Sequence, residues 1–325
     1  MVWTHRVGEA AVRNGHEVIP RPGADLRKER LRRTGWIVGS TLVAGFLGWA
    51  LVDGGRRVSE YSWRLVPGWL ILGLALIVLA YLTTGLGYHG LVSRLQPAPP
   101  ARLATLSVWA RSLLGRYVPG NVLMVLGRLE LGRNIGISRR VSLAASIYEQ
   151  VYGLAMAALW GVAYLVVGFG DGHGRAVWVA ALLPALVVVL HPRIFGPMSA
   201  WALRRARKSP LETFLSGRQV AAFTAWYALT ASLMALGIWS VVHAAAPGAG
   251  NPIEIAGAFQ LAVALSTLAV IFPSGLGVRE GVFALALGRH VPGGVAVALS
   301  VGARLILTAV ELAFVAVVFL VARRR

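Results

Sequence analysis

The sequence predicts an all-α polytopic membrane protein, and three observations carry that expectation. Of its 325 residues, 57% are hydrophobic and only 14% are charged, with a mean hydropathy of +0.67. This is far more apolar surface than a soluble core of such length buries. The apolar residues gather in runs long enough to cross about 30 Å of hydrocarbon at about 1.5 Å per residue. The Lys and Arg residues, 32 against 13 acidic ones, fall mostly between those runs. In a soluble chain a net charge of +19 would point to nucleic acid. Interleaved with membrane-length runs, it points instead to topology and to anionic headgroups at the cytoplasmic face.

Residues 1–34 are polar, carry eight basic residues from Arg6 to Arg33 and lack the apolar core of a cleavable signal. They are expected to form a mobile cytoplasmic tail, with residues 25–33 as a short basic surface helix. Residues 35–325 are expected to form a single transmembrane domain. Six runs, at 36–52, 66–87, 141–168, 175–192, 219–246 and 295–322, read as full spans. Trp36, Trp49, Trp69, Trp178 and Trp239 sit near span ends, as interfacial anchors do.

Two further segments, about 104–128 and 255–290, are apolar but broken. The first contains Ser112-Leu-Leu-Gly-Arg-Tyr-Val-Pro-Gly-Asn121 and the second Val270-Ile-Phe-Pro-Ser-Gly-Leu-Gly-Val-Arg-Glu-Gly281. A broken helix survives in a bilayer only where it is buried in protein or lines a watered cavity. If both segments fold back, the side holding the amino terminus collects 23 basic residues. The other side collects only Arg56, Arg57, Arg64, Arg175 and Arg289. That asymmetry favours two re-entrant hairpins, one entering from each side, the arrangement that inverted-topology repeats produce. The rival count has both segments crossing, for about eight spans.

Within the first break, Pro119 removes a backbone donor and Gly120 permits a turn, so that Asn121 and the next residue open a half-helix with its positive end inward. Arg111 and Arg116 can add charge-assisted hydrogen bonds to a phosphate there, or they can snorkel to headgroups. In the second break, Pro273, Gly275 and Gly277 precede Arg279-Glu280, and Gly277 and Gly281 are spaced for close helix packing. An arginine at the bilayer centre costs about 2.5–3.5 kcal/mol on insertion scales, so something must offset it. Arg304 and Glu311, seven residues apart, share a helix face, and Tyr148, Glu149 and Tyr152 form a second polar face. Glu149 and Glu311 either meet an amine headgroup or serve as counter-charges to Arg279 or Arg304.

Other chemistries lack support. There is no cysteine, so neither a disulfide nor a thiolate site is available, and the seven histidines have no metal-ligand spacing. No metal and no cofactor is expected. Gly85-Leu-Gly-Tyr-His-Gly90 has dinucleotide-fingerprint spacing but follows a membrane helix, not a strand. No phosphate-loop lysine motif is present, and no Ser-His-Asp arrangement can be assembled.

Taken in order, Arg111-x4-Arg116-Tyr-Val-Pro-Gly-Asn121, Gly127-Arg128, Glu149, Pro273-x-Gly-Leu-Gly-Val-Arg-Glu280 and Glu311 resemble the lysylphosphatidylglycerol synthase transmembrane, or flippase-like, family. The resemblance covers about residues 36–322. It implies a membrane unit that moves lipid, without the cytosolic aminoacyltransferase domain of the founding members. The family's motif arginines fall on Arg116 and Arg279 and its motif acid on Glu280. The residues expected at the lipid site are Arg111, Arg116, Tyr117, Pro119, Gly120, Asn121, Arg128, Glu149, Pro273, Gly275, Gly277, Arg279, Glu280, Arg304 and Glu311.

The expected function is translocation of an anionic or zwitterionic lipid, such as aminoacylated phosphatidylglycerol or a polyprenyl-linked lipid, across the cytoplasmic membrane. Both termini are expected to be cytoplasmic, and a lipid-modifying enzyme is an expected partner. The alternative is a membrane-embedded glycosyl or aminoacyl transferase, or an accessory subunit of one. A subunit without a substrate is a third reading.

Overall fold

The computed structural model describes residues 59–117, 122–169, 215–268 and 277–324. The expected tail, the spans at 36–52 and 175–192, and Pro119, Gly120, Asn121, Pro273 and Gly275 lie outside the described residues. The described chain is helical, with no strand among the described residues. Its helices are α1 (Pro67–Leu95), α2 (Arg102–Leu113), a 3-10 turn (Leu114–Tyr117), α3 (Val122–Arg133), α4 (Arg139–Phe169), α5 (Gly217–Ala245), α6 (Pro252–Leu268), α7 (Val278–Leu287) and α8 (Gly293–Arg323).

Four of these, α1, α4, α5 and α8, are long and apolar enough to cross a membrane, and they coincide with four of the six expected spans. Under half of each apolar window is buried inside the protein. Leucines such as Leu285, Leu305 and Leu320 stand exposed, as lipid-facing side chains do. The helix starts are written locally. Pro67 opens α1, where a missing N–H costs nothing. Ser216 and Gln219 cap α5 reciprocally, and Asn251 and Glu254 do the same for α6.

α1 and α5 run antiparallel. A Cβ on Gly73 would strike Val241, one on Gly90 would meet Phe223, and the Val66 N–H bonds Ala244 O at 2.8 Å. These contacts define two ends of the bundle. The first holds the end of α1 and the starts of α4 and α5; the second holds the start of α1 and the ends of α4 and α5. Arg94, Arg102, Arg133, Arg139, Arg140, Arg218, Arg323 and Arg324 gather at the first end.

The two broken segments fold as helical hairpins. α2 and α3, about 18 Å each, are too short to cross and pack against one another. Ser112 faces Gly127 and Arg128, while Gly115 faces Leu123 and Met124. The base of this first hairpin is tied at the basic end, where Gln96 bonds Gly136 O. α6 and α7 form the second hairpin, with Phe259 edge-on to Phe283 at 5.5 Å. Its base lies at the opposite end, where His290 meets Glu254 at 3.7 Å and Arg289 donates to Gly168 O. The hairpins therefore enter the bundle from opposite ends. α8 starts beside the second base and runs past described residues of both hairpins, Glu280 and Arg116 among them, to the first end.

Candidate functional site

Described residues of both hairpins line one cavity of about 310 Å³, within the range of sites that hold small molecules. Of the residues singled out in the sequence, Arg116, Glu149, Arg279, Arg304 and Glu311 line it. α8 supplies Arg304 and Glu311 about two turns apart on one face, as their spacing requires.

The first hairpin brings its charges in already paired. Gly115 lets the 3-10 turn close on α3, since a Cβ there would lie 2.5 Å from Met124 N. Arg116 then reaches α8, where its Nη1 donates to Glu311 Oε2 at 2.7 Å, and Tyr81 from α1 donates to the same oxygen at 2.8 Å. Arg128 on α3 is wholly buried. It donates to Glu149 Oε1 at 2.8 Å and Ser112 Oγ at 3.0 Å, and its guanidinium lies 4.9 Å from the Tyr88 ring centre. Trp109 satisfies the other Glu149 oxygen at 3.0 Å. A buried ion pair holds only when its remaining donors and acceptors are met, and this network meets them.

The second hairpin is less settled. Gly277 stands at φ 83°, a backbone region that glycine enters without a Cβ penalty, and its N–H donates to Glu280 Oε2 at 2.6 Å. Glu280 thus caps α7 from its own N3 position. Its other oxygen lies 3.6 Å from Arg304 Nε, an ion pair too long for a hydrogen bond. Ser300 donates to the Glu280 backbone carbonyl at 2.9 Å, holding the start of α7 against α8. Arg279 Nε is buried with no hydrogen-bond partner among the described residues, and its guanidinium lies 6.0 Å from the Phe259 ring centre.

The remaining expected site residues fall elsewhere. Arg111 is exposed on the outer side of α2, against Phe319, and does not join Arg116. Arg128 lies behind the cavity wall, and Glu280 sits beside the cavity as a cap. Glu149 and Glu311 pair with Arg128 and Arg116, not with Arg279 or Arg304 as the sequence suggested. Gly281 has no neighbour among the described residues where a Cβ would stand, so close packing against them is not its role. Tyr117 ends the 3-10 turn. Tyr152 stacks on Tyr227 at 5.0 Å and donates to Val220 O, so the Tyr148–Tyr152 face mostly packs.

Sequence reading missed Tyr81, Trp109, Gln150, Tyr227 and Gln260, which also line the cavity. Gln150 and Gln260, amides inside apolar runs, carried the signal that polar groups at membrane depth face the bundle interior. Leu154, Ala157, Met234, Phe259, Val263 and Leu307 give the same cavity an apolar wall. Cationic groups beside an apolar wall suit an amphiphile.

The family model for the lysylphosphatidylglycerol synthase TM region matches residues 36–314. No curated protein matches the chain.

Proposed function

This chain belongs to the lysylphosphatidylglycerol synthase TM-region family, and from that membership and the cavity we propose that it translocates a lipid with an anionic headgroup. The observation that carries the reading is Arg279, a buried guanidinium whose Nε has no partner among the described residues, in a cavity between opposed hairpins. A cation held in that state calls for an anion that comes and goes. A phosphate entering there would take Arg279 first and compete with Glu280 for Arg304 and with Glu311 for Arg116. Bidentate pairing favours arginine over lysine for that task.

In this reading the hairpins are re-entrant and the basic end is cytoplasmic. The lipid leaves covalently unchanged, and a lipid-modifying enzyme supplies or consumes it. The test is translocation in proteoliposomes of headgroup-labelled phosphatidylglycerol, its lysyl ester and a polyprenyl phosphate, by wild type and Arg279→Ala. Movement of a labelled lipid that the variant loses supports the proposal and narrows the cargo. No movement by folded wild-type protein overturns it and favours an accessory subunit. Covalent change of the lipid in the presence of an activated donor favours a transferase.

A further inference from the structure

Arg111 is the sequence-flagged arginine that the cavity does not use. Its guanidinium lies 5.6 Å from the centre of the Phe319 ring, and that of Arg323 lies 5.4 Å from the same centre. One comes from the last turn of α2, the other from the last turn of α8, and both are exposed. Two guanidinium groups gathered around one ring repel each other, and each loses rotamer freedom by being held. The ring quadrupole returns about 0.5–1 kcal/mol per cation at an exposed site. No carboxylate neutralises them among the described residues. Glu130, Glu149, Glu254, Glu280 and Glu311 are each engaged by Arg139, Arg128, His290, Arg304 and Arg116 respectively, and Glu60 precedes α1 at the opposite end of the bundle. Neither Arg111 nor Arg323 forms an ion pair among the described residues.

The location says what anion would come. The site lies on the outer seam between the first hairpin and α8, at the basic end of the bundle. Exposed Leu312 and Ala316 share the Phe319 face of α8, seven and three residues before it. An arginine rooted in an apolar helix and reaching toward the basic end places its charge where headgroups lie.

We propose that Arg111 and Arg323, spaced by Phe319, form a second lipid site, which holds the phosphate of an anionic phospholipid on the outer surface of the protein. Its acyl chains lie along the exposed aliphatic side chains of α8. The site is distinct from the central cavity and does not depend on the translocation reading.

Native mass spectrometry of the full chain, released from nanodiscs of phosphatidylglycerol and phosphatidylcholine, tests it. Wild type retains an anionic lipid that the Arg111→Gln/Arg323→Gln variant loses, with retention weakened by about tenfold, as loss of a charge-assisted contact gives. Arg94→Gln/Arg140→Gln, which removes two exposed arginines from the same end, retains it. Equal loss in that control overturns the proposal in favour of general surface charge, as does unchanged retention in the Arg111/Arg323 variant. A third arm adds inorganic phosphate to the same nanodiscs of phosphatidylglycerol and phosphatidylcholine. Displacement of the bound phospholipid by millimolar phosphate would overturn a lipid site in favour of a simple anion site. A Phe319→Leu variant, which keeps both charges but removes the platform, is expected to weaken retention by a smaller factor.

Discussion

The two hairpins do the same architectural job by opposite means. The first is held by polar groups that are mostly paired: Arg128 with Glu149 and Ser112, Trp109 with Glu149, and Arg116 and Tyr81 both on Glu311 Oε2, which leaves Glu311 Oε1 as the one acceptor of that set without a partner among the described residues. The second is held by apolar contacts such as Phe259 on Phe283, and leaves its tip polar groups short of partners, with Arg279 Nε unbonded and Glu280 3.6 Å from Arg304. A satisfied network rigidifies, whereas an unsatisfied buried group marks a place kept for something else. The first hairpin reads as a fixed wall and the second as the side that waits for a ligand.

The largest expected effect breaks the wall. Glu149→Ala strands Arg128 in the interior, and thermal unfolding in detergent is expected to show a loss of about 3–5 kcal/mol. Adding Arg128→Met should restore most of it, because the stranded charge is gone. Gly115→Ala forces a Cβ into the α3 backbone and should cost about 2–3 kcal/mol in the same measurement. The matching change in the other hairpin, Gly277→Ala, should cost only about 1–2 kcal/mol, the penalty of a positive φ in a residue with a Cβ. Tyr81→Phe removes one of two donors to Glu311 and should cost about 1 kcal/mol or less. Arg279→Met is expected to leave stability unchanged or slightly raised while abolishing lipid movement in proteoliposomes. A large loss of stability there would erase the distinction between wall and waiting side.

Much of this contrast was legible in the sequence, for reasons that differ by residue. Membrane-length apolar runs announced α1, α4, α5 and α8, because the bilayer fixes span length. Pro-Gly clusters marked the breaks, and charge asymmetry placed the hairpin bases at opposite ends. The seven-residue spacing of Arg304 and Glu311 put them on one face. Pairing was not legible. Arg116 with Glu311, and Arg128 with Glu149, join residues far apart in the chain, and helical period says which face a side chain takes but not what stands across from it. Arg111 misled because sequence proximity to Arg116 hid a turn of helix that points the two in different directions.

The charges around the cavity also set a valence. Arg116, Arg128, Arg279 and Arg304 face Glu149, Glu280 and Glu311, so the described groups sum to a single positive charge when all are ionised. Under the proposed function, a phosphodiester, with one negative charge, would bring the site to neutrality at the least electrostatic cost in a low-dielectric interior. A phosphomonoester in its dianionic form leaves one negative charge in excess. Under the proposed function, the surplus arginine would select by charge number before any contact reads the headgroup's shape.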